Sequence, residues 1–224
     1  MIDDAVLGIF AKRPEPGRVK TRLAAETSPE WAAEVADGFL RETLERVRRL
    51  AVRRVLAYAP ADAGPWFSAL TKNRFDLCPQ SDGDLGQRMA AFFAAQFAQG
   101  AQRVVLIGTD SPSLPLAYIE QALTDLGGAD VVLGPAADGG YYLVGCRGRV
   151  PPIFAGVRWG TAHVLGETLA RLDAAWKVAV LPPWYDVDTL DDWRMLRGHV
   201  QAMQASGMDA NVRNTERFIR QSVG

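Results

Sequence analysis

Between Lys12 and Arg22 the chain reads KRPEPGRVKTR, five cations and one carboxylate around a single glycine, Gly17. Clustered Lys and Arg in a glycine-containing loop suit a phosphate group. The cations offset its charge, and backbone N–H groups at a following helix start can receive it. The stretch is not a Walker A loop, because GxxxxGK[ST] is absent. A solvated basic turn has the same composition, but this one follows an apolar run directly. Lys12, Arg13, Gly17, Lys20 and Arg22 are the candidate phosphate and nucleotide ligands, and Lys20 is also a catalytic candidate. A second stretch, Gly108-Thr109-Asp110-Ser111-Pro112, ends the most apolar strand-like run with a carboxylate. An oxygen ligand there can hold a divalent cation, or simply start an Asx-turn before the proline. The third stretch is Asp186-Val187-Asp188, with Asp191 and Asp192 after it. Asp188 either completes a metal pair with Asp110 or caps the helix that follows. Alternation in an extended D-V-D directs at most one of its two carboxylates toward the site. Two carboxylates about 4 Å apart repel by roughly 4 kcal/mol at an effective dielectric near 20. Bound Mg²⁺ or Mn²⁺ reverses that penalty.

Three further segments fit around such a centre. Gln80 carries an amide able to donate to and accept from a base edge, and Gly86 allows backbone to approach a planar ring. Asp138-Gly139-Gly140-Tyr141 is either an acceptor wall, with Asp138 as the general base, or a plain hairpin turn. Trp159-Gly160-Thr161 either adds the Trp159 indole to an acceptor site or packs it beside a helix cap at Thr161.

The elements that must position these residues follow from periodicity. Apolar runs at Ala5–Ala11, Arg54–Ala59, Phe75–Cys78, Arg103–Gly108, Asp130–Leu133, Tyr141–Cys146 and Lys177–Leu181 predict strands. Helical spacing predicts helices from Ser28-Pro29 through Val47, and over Gly64–Thr71, Leu85–Ala98, Tyr118–Leu126, Val164–Leu172 and Leu190–Gln204. The tail, 210–222, is also expected to be helical, with little to fix its packing. Alternation of strands and helices predicts an α/β fold, a three-layer α/β/α sandwich on a mostly parallel sheet. The connection between Asp130–Leu133 and Tyr141–Cys146 is too short for a parallel crossover, so one strand is expected to be antiparallel. No repeat or linker interrupts the chain, which is expected to form one domain over residues 1–224.

Composition narrows the function classes. The 224 residues are 48% hydrophobic and 23% charged, with 25 Lys+Arg against 26 Asp+Glu. A formal net charge of -1 argues against a chain whose task is to neutralise a nucleic-acid backbone. Two cysteines, Cys78 and Cys146, and two histidines, His163 and His199, offer no disulfide framework or zinc cluster. The acidic start and the lack of a long apolar run point to a cytoplasmic protein without a membrane span.

Taken in order, FAKRPEPGRVKTRL (10–23), GDLGQRM (83–89), GTDSPSLP (108–115), DGGYYLVG (138–145), WGT (159–161) and DVDTLDDW (186–193) resemble the nucleotide-diphospho-sugar transferase superfamily of glycosyltransferase-A fold. More narrowly, the chain resembles a bacterial family labelled as glycosyltransferases, some members of which are named for arsenosugar biosynthesis. The resemblance implies a nucleotide at the first strand's loop and Gln80 on its base. It also implies Asp110 and Asp188 as ligands of Mg²⁺ or Mn²⁺. GTDSP lacks the D-x-D of many glycosyltransferases, and Lys20 and Arg22 look more like the triphosphate loop of guanylyltransferases. Three functions are therefore carried forward. They are glycosyl transfer from an NDP-sugar to a small acceptor, nucleotidyl transfer from an NTP to a phosphorylated acceptor, and nucleotide binding without turnover.

Overall fold

Residues 5, 7, 9 and 11 of the first apolar run face one core cluster while Val6 and Phe10 face another, as a strand buried on both sides requires. This strand, β1 (Ala5–Lys12), is an inner strand of the sheet in the computed structural model, which describes residues 4–210 and 212–220. Six more strands follow: β2 (Arg53–Ala59), β3 (Asp76–Pro79), β4 (Arg103–Ile107), β5 (Val131–Pro135), β6 (Tyr141–Arg147) and β7 (Val178–Val180). They form a seven-stranded sheet of order β3-β2-β1-β4-β6-β5-β7. All pairings are parallel except those of β6, which runs antiparallel to both β4 and β5. The expected three-layer fold and its single reversed strand are both present.

The helices are α1 (Thr21–Glu26), α2 (Pro29–Val47), α3 (Gly64–Thr71), α4 (Leu85–Ala98), α5 (Leu116–Asp125), α6 (Val164–Leu169), α7 (Leu190–Ala205) and α8 (Glu216–Ile219). Helix α2 starts where Ser28-Pro29 predicts: the Ser28 hydroxyl accepts from the Trp31 N–H at 3.1 Å. Helices α2, α3 and α5 cover one face of the sheet. Helix α4 covers the other with Ile153 and Phe154.

A third cluster sits outside α2. There Phe39 stacks on the fully buried Trp193 of α7 at 6.2 Å, and Trp31 meets the same indole edge-on at 5.1 Å. The expectation of a loosely packed helical tail is corrected here. Among the described tail residues only Glu216–Ile219 is helical, and Val212, Phe218 and Ile219 are buried against α2 and α7. The Asn214 N–H donates to the Glu42 carboxylate at 2.7 Å. Positions 221 and 222 lie outside the described residues. No described helix is long and apolar enough to cross a membrane.

The reversal of β6 matters for the site. It brings the start of that strand, Tyr141, to the same sheet edge as the carboxyl ends of β1 and β4, with Leu143 paired to Ile107. Ligands in open α/β sheets bind at that edge.

Candidate active site

The segment 182–188 carries two of the site's carboxylates, and it is pinned on both sides. Trp184 N–H donates to Pro135 O at 3.0 Å and Ala137 N–H to Trp184 O at 3.0 Å, extending the end of β5. Val187 N–H donates to Asp110 O at 2.9 Å, tying it to the end of β4. It is irregular rather than a strand, so alternation does not govern it. Asp186 and Asp188 both line one cavity, which corrects the expectation that at most one would face the site. Nor is Asp188 the cap of α7. Thr189 is, in a capping box with Asp192, so the Asp188 carboxylate is left to the site.

Two cavities open at this edge. One, of about 340 Å³, lies between the ends of β4 and β6 and is walled by Met89, Leu106, Tyr141, Val144 and Trp159. Its polar lining is Asp110, Asp138, Asp186 and Asp188, with Arg22, Ser111 and Thr161. The other, of about 290 Å³, lies over the end of β1 and is lined by Lys12, Arg18, Lys20, Gln80 and Thr109 among others. Phe10, Leu85, Asp110 and Asp188 belong to both.

At that junction the Lys20 ammonium is buried, its side chain 4% exposed. It donates to Val187 O at 2.7 Å and to Asp188 Oδ1 at 2.9 Å, and it is ion-paired with Asp110 Oδ1. An ammonium has three donors, and here all three are occupied. Arg22 Nη2 takes the other oxygen of Asp188 at 2.5 Å. Burial alone would lower the Lys20 pKa, but the charges of Asp110 and Asp188 hold it above the ordinary lysine value. Asp188 is opposed by burial in the same way, and Lys20 and Arg22 hold its carboxyl below the ordinary value. The expected repulsion between Asp110 and Asp188 is therefore already relieved by protein cations. Lys20, expected on a diphosphate, is engaged with carboxylates instead. Asp186 differs. Burial, reinforced by Asp110 and Asp138, pushes it up to about 6 against the pull of a hydrogen bond from Ser111 Oγ.

The remaining candidates divide. Lys12 lines the basic cavity, as does Arg18, which the candidate set omitted although its own loop contained it. Arg13 does not. Its guanidinium pairs with Glu15 at 3.4 Å and lies 5.9 Å from the Trp66 ring centroid. Gly17 sits in an exposed turn at φ 75°, away from both cavities, where glycine serves the backbone. The Gln80 amide donates to the carbonyls of Ala57 at 3.0 Å and Ala11 at 3.3 Å, across the ends of two strands, leaving its oxygen for a ligand.

Gly86 is a correction. A Cβ there would stand 2.1 Å from Phe154 O and 2.7 Å from Trp159 Nε1, so the ring it approaches is Trp159 and not a base. Gly139, at φ 90°, is similarly a packing residue: a Cβ would meet Ala162 O at 2.4 Å. Gly140, Tyr141 and Trp159 do line the larger cavity, where Tyr141 and Trp159 meet edge-on at 6.3 Å. Asp138 lines it too, one oxygen accepting the Gly140 N–H at 2.9 Å and closing the hairpin turn. Thr161 bonds Arg158 O and does not cap α6, whose N-cap is His163. Asp186 and Ser111 are the site residues that sequence reasoning passed over. The acidic run contained the signal for Asp186, but a strand-like reading sent it to the wrong face.

Residues 43–161 match the model of a family described as uncharacterized protein conserved in bacteria, DUF2064. The chain belongs to the DUF2064 family. The DUF2064 match contains Gln80, Asp110, Asp138 and Trp159, and leaves out the basic loop and the segment 182–188. A crystal structure described as a "putative nucleotide-diphospho-sugar transferase", from Desulfovibrio desulfuricans G20, is 35% identical at a TM-score of 0.87, covering 98% of each chain. Two more distant structures share the fold. A cytidylyltransferase from Leptospira borgpetersenii has 14% identity and a TM-score of 0.55, over 99% of each chain. 4-Diphosphocytidyl-2C-methyl-D-erythritol synthase from Anaerococcus prevotii has 12% identity and a TM-score of 0.56, over 90% of this chain and 100% of that one. No curated protein matches the sequence. The fold is that of the nucleotide-diphospho-sugar transferases.

Proposed function

We propose that this chain transfers a glycosyl group from a nucleoside diphosphate sugar to a small acceptor. The carrying observation is that a basic cavity and a larger acidic, aromatic one meet at Asp110 and Asp188. In this reading the nucleotide occupies the basic cavity. Lys12 and Arg18 offset the diphosphate, and the free oxygen of Gln80 accepts from the base. The sugar and acceptor occupy the larger cavity against Tyr141 and Trp159.

Two carboxylates, half exposed at Asp110 and partly exposed at Asp188, suit Mg²⁺ or Mn²⁺ completed by substrate phosphates, not an all-protein cage. Among the described residues no group of three or more His, Cys, Asp or Glu is placed to hold a metal alone. When bound, the ion supplies Lewis-acid stabilisation of the departing diphosphate. The acceptor hydroxyl oxygen bonds to the anomeric carbon as the bond from that carbon to the diphosphate oxygen breaks. The hydroxyl proton passes to the Asp138 oxygen that Gly140 leaves free.

Relatedness to the D. desulfuricans protein, whose name specifies this donor class, supports the reading. The test is calorimetric titration of the full chain with UDP-, GDP-, CDP- and ADP-sugars in the presence of MnCl₂, alongside release of the nucleoside diphosphate. Binding that disappears in Asp110→Asn supports it. No binding and no release across the panel would end it, and pyrophosphate release from an NTP with a phosphorylated acceptor would replace it with nucleotidyl transfer.

A further inference from the structure

The larger cavity has a charge pattern that restricts its occupant. Four carboxylates line it, Asp110, Asp138, Asp186 and Asp188, against one lining cation, Arg22. Arg22 is already on Asp188 at 2.5 Å, and the ammonium of Lys20 reaches the junction from below, on Asp110 and Asp188. Asp138 and Asp186 form no ion pair among the described residues. Asp138 accepts one backbone N–H from Gly140, and Asp186 accepts the Ser111 hydroxyl. A divalent ion at the junction would neutralise Asp110 and Asp188, but it would arrive with a diphosphate that restores the negative charge. Either way Asp138 and Asp186 remain without a cation partner in the lining.

The rest of the lining is largely aromatic and apolar. Tyr141 and Trp159 present a perpendicular pair of rings, with Met89, Leu106 and Val144 beneath. Aromatic faces together with several carboxylate acceptors fit a ring with a C–H face and several hydroxyls. The aromatic faces also favour a cation.

We propose that the acceptor is a polyhydroxylated ring without phosphate or carboxylate, and that an ammonium substituent strengthens its binding. This rests on the glycosyl-transfer reading for the role of the cavity. The charge argument stands on the cavity alone. It also opposes a phosphorylated acceptor, which would have to place a dianion beside Asp138 and Asp186 with no cation to receive it.

The test is a titration of the full chain, with MnCl₂ and UDP present, using three probes that share one ring: glucosamine, methyl glucoside and glucose 6-phosphate. Glucosamine is expected to bind at least about tenfold tighter than glucose 6-phosphate, with methyl glucoside between them, and the spread to shrink in 0.5 M NaCl. In Asp186→Asn, which keeps an oxygen for Ser111, the spread is expected to narrow by about threefold or more. Equal or tighter binding of glucose 6-phosphate overturns the proposal, and so does failure of all three to bind at 50 mM. The same titration reports UDP binding separately. If UDP does not bind but the amine preference holds, the transferase reading fails and the cavity's charge class survives. If UDP binds and phosphate is preferred, the acceptor class alone fails.

Discussion

Replacing Lys20 with Met removes a charge from the junction while keeping an unbranched chain of similar length. Lys20 Nζ holds Val187 O at 2.7 Å and Asp188 Oδ1 at 2.9 Å, and pairs with Asp110, from a side chain only 4% exposed. Removing one partner of a buried ionic cluster costs about 3–5 kcal/mol, because the remaining charges stay behind. Here Asp188 keeps Arg22 at 2.5 Å and the Asp110 side chain is 50% exposed, which sets the expectation near 3 kcal/mol. Urea unfolding of Lys20→Met and wild type at pH 7.5 in EDTA measures it. The sign with pH follows from the two shifts. Lys20 is raised, so its contribution is present throughout the neutral range. Asp188 is lowered, so its contribution is present above the ordinary carboxylate value and is lost as pH falls through its depressed one. The difference between the two proteins should therefore shrink in acid. In the proposed site a divalent cation would contend with Lys20 for the same oxygens, so the variant should bind Mn²⁺ more tightly than wild type, and saturating Mn²⁺ at about a hundred times Kd should restore roughly 2.7 kcal/mol. Equal stability of the two proteins in EDTA, or weaker Mn²⁺ binding by the variant, would refute the reasoning.

Asp186, raised to about 6 by burial and then by Asp110 and Asp138, contributes stability that is complete below the ordinary aspartate value and is lost as pH rises through about 6. In EDTA, wild type should lose about 1 kcal/mol relative to Asp186→Asn between pH 5 and pH 8, measured by denaturant midpoints; a pH-independent difference would discard this assignment. Gly86→Ala places a methyl 2.1 Å from Phe154 O, and overpacking of this kind costs about 1–3 kcal/mol. A melting temperature equal to wild type would show that α4 and the 153–159 loop are less closely packed than described. In the proposed reading metal and nucleoside diphosphate should bind with positive coupling, because the diphosphate oxygens complete the shell of a metal held by only two carboxylates. Mn²⁺ affinity measured with and without UDP should differ at least about fivefold, and identical values would remove the premise.

The parts of the fold that periodicity controls were legible. Ser28-Pro29 starts a helix because a hydroxyl cap and a proline solve the same end problem. The short β5–β6 connection announces a reversed strand because no crossover fits in it. The charged loop and the late acids were legible as two patches of opposite sign at one edge. Their mutual pairing was not. It depends on the Lys20 backbone turning to φ 47° and on Val187 hydrogen-bonding across 77 positions to Asp110 O, and neither leaves a local pattern. The glycines misled for a related reason. Gly86 and Gly139 are required by close approach, but the approaching atoms belong to Phe154, Trp159 and Ala162 and not to a ligand. Sequence shows that a side chain is missing, not what fills the space.

The separation of labour in this edge follows from which hydrogen bonds hold each part. Asp110 and Asp138 follow the ends of β4 and β5 and Tyr141 starts β6, strands held in register by paired ladders that shift only at Gly134/Pro135. The cavity wall they form is therefore tied to the sheet by more backbone bonds than the segments facing it. Asp186 and Asp188 sit on an irregular segment held by three backbone bonds at its two ends, and Lys20 sits in the turn before a six-residue helix. Those are the elements that can yield when a ligand replaces the Lys20 pairing, because few ladder bonds break if they shift. The region matched by the DUF2064 model holds that wall, and both yielding elements lie outside it. Most of the larger cavity's lining thus comes from the matched core. The exchange of partners by which the proposed metal and diphosphate would be admitted depends on two segments far apart in sequence, 12–22 and 182–188, which the sheet brings to the same edge.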